Sequence, residues 1–101
     1  MKTINMGLNT EPAWVKADEI IERWRAAGDQ TMVDCWENMR DLSLNLRDEI
    51  VKALLVDGEV SLSWSCSGRT SHQMHAMHWA EAMPEYEFDI GYNYECVVRL
   101  K

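Results

Sequence analysis

The chain has 101 residues, with 17 Asp and Glu against 10 Lys and Arg, and a formal net charge of −7. A folded chain of this size buries roughly two-thirds of the surface it would expose unfolded, so 47% hydrophobic residues suffice for one acidic domain, 1–101, without a structural metal or disulfide. The acidity weighs against nonspecific binding to nucleic acid or anionic lipid, both of which are held by Lys and Arg neutralising phosphates.

At the start of the chain, Ile4, Met6 and Leu8 alternate with polar residues and read as an edge strand. Lys2 is the one basic residue before Thr10, and no apolar run leads to a small-residue cleavage site, so a cytoplasmic chain is expected. No window approaches the roughly 20 apolar residues of a membrane span. Thr10-Glu11-Pro12 is a helix start, through side-chain capping, the helix dipole and the tolerance of Pro in a first turn. Ala13, Trp14, Ala17, Ile20, Ile21, Trp24 and Ala27 then recur at intervals of three and four, as an amphipathic helix does. Gly28 supplies a left-handed stop and Asp29 an N-cap for a second helix, so the two helices form a hairpin.

That second helix runs from about Gln30 to Leu55, with Met32, Cys35, Trp36, Met39, Leu42, Leu46, Ile50, Ala53 and Leu54 on its apolar face. Val56-Asp57-Gly58 ends it. Val60, Leu62, Trp64 and Cys66 alternate with Ser61, Ser63, Ser65 and Ser67, a strand with one apolar and one solvated face. Ser67-Gly68-Arg69-Thr70 reads as a turn. From Ser71 to Met83 no residue is β-branched, and helix propensity prevails, with Ser71 as the cap and Pro84 beyond the end. Alternation resumes at Tyr86 and runs to Leu100, too far for one strand, so Gly91 marks a bulge or, with Asn93, a hairpin turn. The expected fold is α+β: an N-terminal helical hairpin on a small antiparallel sheet built from 59–67 and 85–100, with a short additional helix.

Asp34, Glu37, Asp41 and Asp48 fall within about 60° on the second helix, opposite its apolar face, in a row about 21 Å long. Like charges one turn apart repel, and helix stability alone would interleave Lys. With Arg40 and Arg47 beside it, the row is either a solvated face or a surface complementary to a basic partner. His72, His75 and His78 form a His-x-x-His-x-x-His run, to which Cys66 or Glu81 could add a ligand. Spread over about 120° of helix, the three serve one ion poorly, and no functional metal or other cofactor is expected. Cys66 with a His, or a Ser of the serine-rich strand, would be the nucleophile of an enzyme, but no catalytic signature accompanies them and none is expected. Cys35, Cys66 and Cys96 read as reduced, buried thiols. Trp14, Trp24, Trp36 and Trp64 belong to core faces, whereas Trp79, Tyr92 and Tyr94 are candidates for an exposed docking cluster.

An acidic chain of about 100 residues without a catalytic signature resembles, by that profile and by no motif, the small inhibitors that phages and mobile elements direct against host defence, such as anti-CRISPR and anti-restriction proteins. The resemblance implies a non-catalytic protein that occludes a basic, nucleic-acid-binding surface of another protein, as a nucleic-acid mimic would. Direct contact with nucleic acid or membrane is not expected. The alternatives are a homo-oligomeric structural or accessory protein and a metal-binding regulator using His72, His75 and His78.

Overall fold

The computed structural model describes residues 1–8, 10–65, 68–91 and 95–101. In chain order it contains β1 (Lys2–Gly7), a 3-10 turn (Ala13–Val15), α1 (Ala17–Ala26), α2 (Gln30–Asp57), β2 (Glu59–Trp64), α3 (Arg69–Ala82), β3 (Tyr86–Ile90) and β4 (Cys96–Leu100). The four strands form one sheet in the order β1-β2-β4-β3, and the fold mixes helix and sheet as expected of an α+β chain. A strand opens the chain, so the helical pair does not lead the fold.

The sheet is mixed rather than wholly antiparallel. β1 runs parallel to β2, while β2–β4 and β4–β3 are antiparallel. The reason is the connection: α1 and α2 together carry the chain back to the starting end of β1, and such a crossover delivers a parallel neighbour. Across the sheet, Ile4 lies beside Leu62 and Leu62 beside Cys96, while Val60 lies beside Val98 and Val98 beside Phe88. These residues line one face, covered by Leu46, Ile50, Ala53 and Leu54 of α2 and by Ala76, Trp79 and Met83 at or just beyond α3. The other face carries Thr3, Asn5, Ser61 and Ser63, with Arg99 between Glu59 at 3.4 Å and Asp89 at 3.3 Å. Period-2 alternation thus separates core from solvent, as the serine-rich strand implied.

A second, smaller core joins Ala17 and Ile21 of α1 to Val33 of α2, with Trp24 and Trp36 against them. Asp29 caps α2 through Oδ1, which accepts from the Met32 amide at 3.1 Å, and Gly28 and Gly58 both take the left-handed conformation at helix ends.

Three local expectations are corrected. The helix expected from Thr10-Glu11-Pro12 begins only at Ala17; Pro12 leads into the 3-10 turn, because Thr10, Glu11 and Trp14 are tied to β2 and α3 before the chain turns into α1. The expected apolar face of α2 is covered in its C-terminal half but not along its whole length. Cys35, Met39 and Leu42 are exposed, whereas Val33 and Ser43 are buried. Ser43 meets its own need by donating to the Arg40 carbonyl at 2.8 Å. Finally, α3 starts at Arg69 rather than Ser71, with Gly68 at φ +84° in the capping position. Cys66, Ser67, Tyr92, Asn93 and Tyr94 lie outside the described residues; β3 and β4 nonetheless pair as a hairpin, closed where the Gly91 amide donates to the Glu95 carbonyl at 2.8 Å.

Candidate functional site

The acidic row lies on the side of α2 turned from the sheet. Asp34, Asp41 and Asp48 are exposed and Glu37 is half-buried. Gln30 donates to Asp34 at 2.9 Å, and Arg40 reaches both Asp41 at 3.3 Å and Asp18 of α1 at 3.4 Å. The hydrogen bond to Asp41, with a smaller share from Asp18, raises the Arg40 pKa. Arg47, expected to screen the row, leaves it: its guanidinium sits 5.1 Å from the centroid of the Trp14 ring, in cation–π geometry. The row therefore keeps more uncompensated charge than the sequence suggested, and among the described residues no ion pair forms at Glu37 or Asp48.

On the opposite side, the segment after β1 is clamped onto α3. Gly7, at φ +79°, turns the chain there, and a Cβ at that position would meet Thr10 Oγ1 at 3.3 Å. The Thr10 carbonyl then accepts from two indoles, Trp64 Nε1 at 3.1 Å and Trp79 Nε1 at 3.0 Å. Glu11 is shared between two imidazoles: Oε1 meets His75 Nδ1 and Oε2 meets His78 Nδ1 at 2.6 Å. Trp14 closes edge-on against Trp79, ring centroids 5.2 Å apart.

The His run is split by this arrangement. His72 and His75 are buried against Trp64, the first edge-on at 5.2 Å and the second stacked at 6.2 Å, while His78 is exposed. Burial pushes the His72 pKa down, and the neighbouring His75 adds to the effect. Among the described residues, no three His, Cys, Asp or Glu side chains converge as a metal site. Glu81 is exposed at the far end of α3, and Cys66 lies outside the described residues. Trp79, expected in an exposed docking cluster, is instead fully buried, because its indole both fills the core and satisfies Thr10. Tyr92 and Tyr94, its expected companions, lie outside the described residues. Of the three thiols, Cys35 is exposed, contrary to expectation, and Cys96 is buried, which pushes its pKa up to about 12.

Between the clamp and α2 runs an open groove of about 760 Å³, which the sequence did not reveal. Its walls are Leu8 and the residues around Pro12 and Val15, then Trp36, Met39 and Leu42 of α2, then His78, Glu81 and Ala82 of α3. Met39 is 38% exposed and Leu42 53%. The signal for it was present in the width of the α2 stripe, which from Leu42 to Trp36 spans about 120° at 100° per residue, while α1 packs toward Val33.

Among the described residues no helix is long and apolar enough to cross a membrane. Comparison with protein-family models, with curated proteins and with solved structures finds no match to this chain.

Proposed function

We propose that this protein works by binding another protein rather than by catalysis, and that it presents the carboxylates of α2 to a basic, nucleic-acid-binding surface of its partner, which it occludes. The observation that carries the reading is the placement of Asp34, Glu37, Asp41 and Asp48 on the solvent side of a 28-residue helix while Arg47 is withdrawn onto Trp14. Fixed carboxylates spaced along a rigid rod accelerate encounter with a basic surface and set its orientation. An anti-defence inhibitor of the anti-CRISPR or anti-restriction kind, acting in the cytoplasm, is the biological role that suits such a surface. Trp79 has no part in it, being buried.

The test compares wild type with the Asp34→Lys, Asp48→Lys double variant. Partners recovered from the source cell by wild type are measured for association rate at two salt concentrations. The variant is expected to associate more slowly and with a flatter salt dependence. Folding survives, since exposed substitutions usually shift stability by less than about 0.5 kcal/mol. Equal rates for both proteins would overturn the proposal. A second reading, self-association, is favoured by one observation: Leu8, Val15, Met39 and Leu42 are exposed around a single groove. Light scattering of the same samples separates the two, because a stable dimer through that groove would survive the double Lys change.

A further inference from the structure

The clamp divides the histidines of α3 into two that serve the core and one that does not. His72 and His75 turn inward, whereas His78 lies outside with Met74 and Met77, which are 47% and 54% exposed. Met74 lies three residues from Met77 and four from His78, so it neighbours both on the helix surface, with Cβ atoms about 5–6 Å away, and stands between them, since Met77 and His78 are successive residues about 100° apart. Methionine is among the residues most often buried, and two exposed thioethers around an imidazole answer no packing need of the described core.

His78 is also held in a definite orientation. Its Nδ1 pairs with Glu11 Oε2 at 2.6 Å, so Nε2 is the ring nitrogen turned away from the carboxylate. Glu11 is fixed in turn by His75 through its other oxygen. A carboxylate behind an imidazole is the arrangement that orients a metal-binding histidine and raises its basicity. We propose that Met74, Met77 and His78 bind Cu(I), with two thioether sulfurs and Nε2 as ligands and Glu11 as the positioning residue. Thioethers are soft donors that select Cu(I) over magnesium, calcium or zinc. The unbranched methionine side chain, with three rotatable bonds, lets both sulfurs close on one ion without moving the helix. The expectation of no functional metal rests on the histidines, as pairs or as a trio; the structure divides them and leaves His78 exposed beside two thioethers. The site is separate from the acidic row and stands whether or not the protein-binding reading does.

The test uses the full chain with Cys35→Ser and Cys66→Ser, so that those thiols do not compete; Cys96 stays in place, buried and with its pKa near 12. Protein labelled at the methionine methyl carbons is titrated without oxygen with Cu(I), and with Ag(I) as a redox-inert counterpart, followed by NMR and by competition with a chromogenic Cu(I) chelator. One equivalent is expected, with the Met74 and Met77 methyl resonances shifted and those of the buried methionines, Met6 and Met83, unmoved. Met74→Leu with Met77→Leu should lose the site while keeping the far-UV spectrum, and Glu11→Gln should weaken it about 10- to 100-fold. Unshifted Met74 and Met77 methyls in the parent protein would overturn the proposal whatever the variants do, as would undiminished binding by the folded double-Leu variant.

Discussion

Thr10 and Glu11 lie in a stretch without regular structure, yet between them they engage four side chains of β2 and α3: Trp64, Trp79, His75 and His78. Beneath this clamp, His72 is packed edge-on to Trp64 and fully buried, so the neutral ring is the favoured form. Its folded-state pKa is lowered from the ordinary 6.5 by burial and then by His75. The unfolded chain therefore takes up that proton more readily than the folded one. His72 contributes stability that is present above pH 6.5 and lost as pH falls through the folded-state value. Urea unfolding at several pH values between neutrality and mild acid should show the midpoint falling on acidification. His72→Leu should flatten that fall, and the slope with pH is the readout because the substitution also changes packing. An equal slope in both proteins would assign the acid sensitivity to other groups.

At the scale of the element, α2 shows one helix with two different burdens. Its C-terminal half lies on the sheet, with Ile50 and Leu54 almost fully buried, whereas its N-terminal half packs on α1 and borders the groove. Sequence periodicity places Leu42 and Ile50 on the same face, but the structure does not treat them alike. Ile50→Ala removes a core side chain and is expected to cost about 2–5 kcal/mol. Leu42→Ala, at an exposed position, is expected to stay within about 0.5 kcal/mol. Paired denaturant titrations check this, and a large loss for Leu42→Ala would mean that the groove is closed in solution.

For the whole molecule, the division into a large sheet core and a small core between α1 and the start of α2 predicts uneven stability. Local opening costs least where few apolar side chains are buried. Hydrogen exchange should show α1 and the first turns of α2 exchanging well before β2, β4 and the end of α2. Uniform protection along α2 would contradict the separation of the two cores. The same division bears on what the sequence made legible. The two long helices, their turn at Gly28, the Asp29 cap, the alternating strands and the helical character of 71–83 all rest on local chemistry, which acts between residues a few positions apart. The exposed carboxylates of α2 followed from the same arithmetic.

What composition and periodicity determined, then, is where the chain is helical or extended and which side of each element is apolar, because φ/ψ preference, capping and side-chain spacing are set within a turn or two. Only the tertiary structure decided which apolar sides find cover. Met39 and Leu42 line a groove because α1 packs on the side of α2 that carries Val33, and Trp79 disappears inside because a carbonyl 69 positions away accepts its indole proton. β1 joins the sheet in parallel because the helices between it and β2 bring the chain back to the same end. The split of the three histidines likewise depends on Glu11, more than 60 residues earlier in the chain. Each of these outcomes is a competition between distant segments for a limited buried surface, and no short-range rule contains the identity of the winner.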